Sequence, residues 1–263
     1  MTVQTNLAQL SAAQTVARKI VAVASGKGGV GKTLLSVTLS QAFARSGQRT
    51  LLFDGDLGLA NVDVQLGIVP DHDIGMVLAG RVSLAEAVTA YPSGGFDILA
   101  GRSGSGKLSA VPARGISELR GDLIALADSY DRVVIDIGAG VEKGLRRLAG
   151  IAGRCLIVTT DEPTALTDAY AFIKMMTAQR HPSRIQVIVN MAPTKAEGER
   201  TYQVLRKACE SFLRLSPPLA GIVRRDKYVR DAIRRQTPLL TRYPSCPAAT
   251  DVEAMAEKLI RER

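Results

Sequence analysis

Residues 25–33 read Ser-Gly-Lys-Gly-Gly-Val-Gly-Lys-Thr and follow directly on the apolar run Ile20-Val21-Ala22-Val23-Ala24. A strand-length apolar run, a glycine-rich turn and then Leu34, Leu35, Val37 and Leu39 spell strand, loop and helix in that order. Gly26 and Gly31 bracket four residues ahead of Lys32 and Thr33, which is the spacing of a phosphate-binding loop. Gly26, Gly28, Gly29 and Gly31 let the backbone wrap tightly, so that N–H groups of the stretch through Val30 to Leu34 converge on phosphate oxygens. The helix that begins near Thr33 adds the positive end of its dipole. In such a loop Lys32 supplies a point charge at the β- and γ-phosphates, and the Thr33 hydroxyl is a Mg²⁺ ligand.

Parallel sheets hold their ligands at the carboxyl ends of the strands. Acidic residues that close apolar runs are therefore the next candidates. Leu51-Leu52-Phe53 ends in Asp54-Gly55-Asp56, and Val133-Val134-Ile135 ends in Asp136-Ile137-Gly138-Ala139-Gly140. One aspartate in such a place also suits a helix cap; two of them beside a phosphate loop point to a metal–nucleotide site. Asp136 is placed to hold Mg²⁺ directly or through water, and Gly138 and Gly140 let the backbone approach the γ-phosphate.

Apolar, β-branched runs at 20–25, 49–54, 96–100, 132–137, 154–159, 185–190 and 219–223 alternate with helical patterns such as 33–46, 115–129, 165–180 and 196–214. Continuous apolar strands separated by helices predict an α/β fold of the P-loop NTPase type, a mostly parallel twisted sheet of about seven or eight strands with helices on both faces. With 263 residues, 46% of them apolar, the chain can bury one substantial core, here expected as a single domain over 20–263 with 1–19 as an appendage. Gly101–Gly106 reads as a mobile loop. No apolar stretch approaches the roughly 20 residues needed to cross a bilayer. Arg18 and Lys19 follow the N-terminal apolar residues instead of preceding them, so no secretory signal is read and a cytoplasmic protein is expected. Cys155, Cys209 and Cys246 lie too far apart for a zinc or disulfide framework, and His72 and His181 stand alone. The formal net charge of +9 favours an anionic partner: nucleic acid, an anionic membrane face, or the nucleotide itself.

The string Gly-Lys-Gly-Gly-Val-Gly-Lys-Thr resembles the deviant Walker A loop of the MinD/ParA ATPases. That resemblance implies an ATP- and Mg²⁺-dependent homodimer in which Lys27 reaches the nucleotide of the partner subunit, like an arginine finger supplied in trans. Asp56-Leu-Gly-Leu-Ala-Asn-Val-Asp63 resembles the switch I segment of MinD and its flagellar relatives, which implies that Asp56 orients the attacking water and Asp54 supports the Mg²⁺ shell. Val158-Thr159-Thr160-Asp161-Glu162-Pro163-Thr164-Ala165-Leu166-Thr167-Asp168-Ala169-Tyr170-Ala171 looks like a stretch of the flagellar regulators FlhG and FleN, with Asp161 where that family usually has proline. Ser83-Leu84-Ala85-Glu86-Ala87-Val88 and Phe96-Asp97-Ile98-Leu99 resemble the same subfamily. The implied role is a nucleotide switch in flagellar number or placement, working with a protein of the flagellar assembly machinery. A ParA-like partitioning ATPase on DNA and a membrane-bound division-site regulator are the alternatives.

Asn190 closes the run Val187-Ile188-Val189, where the family places an adenine-reading Asn; as a plain residue it also suits a turn. At Gly221-Ile222-Val223-Arg224-Arg225-Asp226 the chain departs from the family's proline-containing turn, and Arg224 stands where a base could stack under a guanidinium. Arg224, Arg225, Lys227, Arg230, Arg234 and Arg235 form a basic cluster open to anionic lipid or DNA, although such a run also makes a solvated face. Near the C-terminus Val252, Met255, Ala256, Leu259 and Ile260 make a helical stripe, but residues 251–263 hold four acids against three bases. That balance predicts a helix docked on its own core in place of a membrane anchor. The tail segment Asn6-Leu7-Ala8-Gln9-Leu10 lacks the Asp and Arg of the motif with which FlhG proteins stimulate a partner GTPase.

Overall fold

Alternate residues of one strand feed two different cores. In β1 (Ile20–Ser25) the side chains of Ile20, Ala22 and Ala24 join one buried cluster, while Val21 and Val23 join another on the opposite face. That is why the run carries no polar alternation: both faces are covered. The structure, a computed structural model, describes residues 15–56, 60–101, 113–140, 148–178 and 184–262. The tail at Asn6–Leu10, His181 and the loop after Gly101 lie outside them.

β1 is flanked in an eight-stranded sheet by β2 (Thr50–Asp54), β3 (Val88–Tyr91), β4 (Phe96–Leu99), β5 (Arg132–Ala139), β6 (Arg154–Thr159), β7 (Arg184–Ala192) and β8 (Leu219–Arg224), in the order β3-β4-β2-β5-β1-β6-β7-β8. All neighbours are parallel except β3, which pairs antiparallel with β4. β3 lies outside the apolar runs that the sequence marks as strands. It is a four-residue edge strand in which only Tyr91 is buried, so it shows neither the continuous apolar run of the inner strands nor a clear alternation. The carboxyl ends of β1, β2 and β5 lie side by side, with Phe53 in register with Ile135 and Val23 with Asp136. This brings the loop after β1 and the acids ending β2 and β5 to one edge.

One face is covered by α4 (Ala113–Ala127), α5 (Pro163–Ala178) and α6 (Lys195–Leu213), which bury Leu119 and Leu123, Phe172 and Ile173, and Tyr202 and Leu205 in turn. The other is covered by α1 (Lys32–Arg45), α7 (Lys227–Arg234), α8 (Leu239–Arg242) and α9 (Pro247–Arg261); short helices α2 (Val62–Leu66) and α3 (Ile74–Leu78) follow β2. Helix α1 is buried nearly all round, because α8 and α9 close over the side that would otherwise meet solvent. Its buried hydroxyls find local partners: Ser36, Thr38 and Ser40 donate to the carbonyls of Lys32, Leu34 and Ser36 at 3.0, 2.7 and 2.8 Å. Residues 15–19 form a helical turn tucked against the main body, where the Gly153 amide donates to the Ala17 carbonyl at 2.7 Å.

The C-terminal stripe is indeed turned inward. Val252, Met255, Ala256 and Leu259 are buried against β8 and α1. Burying Val252, Met255 and Leu259 stabilises the docked helix by roughly 5–9 kcal/mol before the entropy of ordering is subtracted. Asp251 fixes its register. The carboxylate accepts from the Arg224 backbone amide (2.9 Å), Arg224 Nε (2.9 Å) and Nη2 (3.0 Å), and faces Lys195 Nζ at 2.8 Å. Asp251→Ala leaves these donors without their acceptor and is expected to cost about 2–3 kcal/mol, read as a lower urea midpoint at unchanged slope.

Candidate nucleotide site

The loop between β1 and α1 takes its shape from two left-handed glycines, Gly29 (φ 80°) and Gly31 (φ 88°). Gly31 is also the N-cap of α1, and no side chain caps that helix. Its first amides are therefore left for a ligand. The loop is held from behind. Asn190 Nδ2 donates to the Val30 carbonyl at 2.8 Å, and a Cβ on Gly31 would lie 2.5 Å from that nitrogen. A Cβ on Gly26 would collide with the Asp168 carbonyl of α5. On the outer side Gly28 and Gly29 are exposed, and a Cβ at Gly29 meets nothing within 4 Å. The result is a cradle braced by protein on one side and open on the other.

Lys32 is 9% exposed. Burial lowers its pKa, while the nearby carboxylates of Asp136 and Asp56 pull it back up. Asp136 is likewise buried. Its carboxylate bonds to the Thr33 side chain and accepts from Ser36 Oγ at 3.0 Å. Burial raises its pKa to about 6 against those bonds and the Lys32 charge. Ser36 was not foreseen as a site residue, though it stands four positions after Lys32, on the same face of α1.

Asp54 is fully buried at the end of β2, accepting backbone amides of Asp56 (3.2 Å), Asn61 (3.1 Å) and Val62 (3.1 Å). It thus ties down both ends of the segment after β2; residues 57–59 lie outside the described residues. Burial, then the neighbouring Asp136, raises the Asp54 pKa to about 7. An acid with a higher pKa folded than unfolded holds its proton more tightly in the native state. Stability is thus fully present below about pH 4 and is lost as pH rises through about 7. Without nucleotide and Mg²⁺, the melting temperature is expected to fall from about pH 5 to about pH 8, and Asp54→Asn to flatten that fall.

The two acidic endings touch. The Gly55 amide donates to the Asp136 carbonyl at 2.8 Å, and a Cβ on Gly138 would lie 2.9 Å from Asp56 Cγ. Only glycine at 138 leaves room for the Asp56 carboxylate. Lys32, Thr33, Asp54, Asp56, Asp136 and Gly138 are thus brought together around the loop. A Thr33 hydroxyl bonded to the Asp136 carboxylate fits part of a Mg²⁺ shell, and the open glycine cradle fits the phosphates.

Three expected residues are engaged in ways the sequence did not reveal. Lys27 points to the start of α5, donating to Glu162 Oε2 at 2.5 Å and Thr164 Oγ1 at 2.7 Å. Asn190 spends one amide hydrogen on the loop itself. Arg224, at the end of β8, has its guanidinium forked onto Asp251, so in this state it clamps α9. Of the basic cluster, Arg235 pairs with Asp231 at 3.0 Å, whereas Arg225, Lys227, Arg230 and Arg234 are exposed. No described helix is long and apolar enough to cross a membrane.

Comparison with known proteins agrees with this geometry. Residues 21–239 match the CobQ/CobB/MinD/ParA nucleotide binding domain. The antiactivator FleN of Pseudomonas aeruginosa is 36% identical over 244 residues, covering 92% of this chain and 86% of that protein. The flagellum site-determining protein YlxH of Helicobacter pylori is 33% identical over 193 residues, covering 73% of this chain and 65% of that protein. Among solved structures, the septum site-determining protein MinD of Pyrococcus horikoshii, complexed with Mg-ADP, superposes with a TM-score of 0.75 at 25% identity, covering 92% of this chain and 95% of that one. With a braced glycine cradle, two lysines and two touching acidic strand ends, this chain belongs to the MinD/ParA family of nucleotide-binding P-loop ATPases.

Proposed function

We propose that the chain is a Mg-ATP-dependent switch that dimerises around two nucleotides and regulates flagellar number or placement. The observation that carries the reading is the position of Lys27. It lies outside its own phosphate cradle, held by Glu162 and Thr164 at the edge of the site, and is free to exchange those contacts for a phosphate of a facing subunit. The relatives named FleN and YlxH support the flagellar role.

In this mechanism the loop amides and Lys32 bind and orient the phosphates; Thr33 and Asp136 would hold Mg²⁺, which would supply charge neutralisation to the phosphates, and Asp54, its oxygens on the amides of Asp56, Asn61 and Val62, would support that shell from behind. Asp56 accepts a hydrogen bond from the attacking water and aligns it. Asp56 is reached from Gly138 and Asp54 at once, so both acidic segments follow the γ-phosphate together. Asn190, one amide hydrogen on Val30, and Arg224, clamped on Asp251, are the residues proposed for the base side of the site.

The test is solution mass with ATP and Mg²⁺ for the wild type, Asp56→Ala and Lys27→Ala. A dimer that Asp56→Ala traps and Lys27→Ala loses is the expected result. A mass unchanged by nucleotide sinks the dimer switch. A second reading, a surface for DNA or anionic lipid, is favoured by exposed Lys227, Arg230 and Arg234 on one side of α7. Binding that does not weaken with salt would overturn it.

A further inference from the structure

Ser36, Thr38 and Ser40 are all buried on α1, yet their hydroxyls are not used alike. Thr38 and Ser40 each donate to the carbonyl four residues earlier, at 2.7 and 2.8 Å. Ser36 has the equivalent choice, the Lys32 carbonyl at 3.0 Å, and a second acceptor at the same distance, Oδ1 of Asp136. A hydroxyl has a single hydrogen to give. The Lys32 carbonyl is already served by the amide ladder of the helix. A buried carboxylate is the stronger acceptor, so the hydrogen goes to Asp136.

That bond does not exist for the sake of the serine. Thr38 and Ser40 show that the helix alone satisfies such a hydroxyl, and in mid-helix a serine is otherwise inferior to alanine. The carboxylate is what gains. Strand β5 delivers Asp136 to the site, 3% exposed, and α1 fixes which way it faces. Thr33, three positions before Ser36 on the same face of α1, bonds to the same carboxylate. Thr33 stands at the mouth of the cradle and would itself meet the metal. Ser36 lies one turn deeper and is fully buried, with the carboxylate and its own helix as its polar contacts. We infer that Ser36 is a positioning residue for the metal site, clamping Oδ1 of Asp136 so that the carboxylate is aimed for Mg²⁺ before nucleotide arrives. The inference rests on the Mg²⁺-nucleotide site proposed above and extends it to a residue that would touch neither phosphate nor metal.

The test uses the full chain and a fluorescent ADP analogue, in EDTA and across a Mg²⁺ titration. The wild type is expected to bind the analogue more tightly with Mg²⁺ than in EDTA. Ser36→Ala is expected to match the wild type in EDTA within about twofold. It is expected to need at least about tenfold more Mg²⁺ to reach its half-point. Ser40→Ala, equally buried on the same helix but bonded to the Ser36 carbonyl, is expected to match the wild type in both conditions. A Ser36→Ala half-point equal to that of the wild type overturns the inference, as does an equal shift in Ser40→Ala. Equal weakening of Ser36→Ala with and without Mg²⁺ also overturns it and assigns the serine to packing of the loop. If the wild type itself ignores Mg²⁺, the metal site falls and this role with it, a result distinct from the other three.

Discussion

Asp56→Ala is expected to lose at least about 100-fold in ATP turnover while binding nucleotide nearly as well as the wild type. In the proposed site the phosphates are gripped by Lys32, Thr33 and the loop amides, and Lys32 and Thr33 both keep a carboxylate neighbour in Asp136 when Asp56 is removed. Lys32 keeps its other carboxylate, Asp136, and Asp136 keeps its bonds to Thr33 and Ser36. What the substitution removes is the carboxylate lying over Gly138. Removing a negative charge beside the phosphates also favours ground-state binding slightly. Phosphate release and titration of a fluorescent ATP analogue separate the two effects, and hydrolysis at the wild-type rate would show that another group aligns the water.

A second large effect is expected one residue before the helix. Gly31→Ala meets two penalties: a left-handed backbone, costing about 1–2 kcal/mol for a residue with a Cβ, and a collision with Asn190 Nδ2 at 2.5 Å. Displacing Asn190 also breaks its bond to Val30. Together these are expected to weaken nucleotide binding about 100-fold, since each 1.4 kcal/mol is tenfold. Gly29→Ala has the same positive φ but open space around its Cβ, so it carries the first penalty alone, about tenfold. The double substitution Gly31→Ala with Asn190→Ala relieves the collision and is expected to fall between them. Equal losses at 29 and 31 would show that the Asn190 brace contributes nothing.

These predictions separate what was legible in the sequence from what was not. The inner strands were legible because both faces are buried, leaving apolar runs with no ambiguity of register. The loop was legible because glycine spacing is a local property. The acids at 54, 56 and 136 were legible because parallel strands bring their carboxyl ends to one edge. Contacts between distant positions were not. Nothing in the local pattern around Lys27 names Glu162 as its acceptor, and nothing around Arg224 names Asp251, a residue on the last helix. The brace from Asn190 was hidden for the same reason, its strand pattern suggesting only a turn or a ligand contact. Edge strand β3 escaped because a strand with one buried side chain has little apolar signal to read.

The brace has a consequence for biosynthesis. Asn190 lies 160 positions beyond Val30, and β1 must pair with β5 and β6 before its ends are fixed. At about 5–20 residues per second, translation from one to the other takes roughly 8–30 s. Through that interval the nascent chain exposes a glycine loop whose supports have not yet been made. The glycine loop is therefore made well before the residue that braces it, and takes its final support only after β7 has emerged.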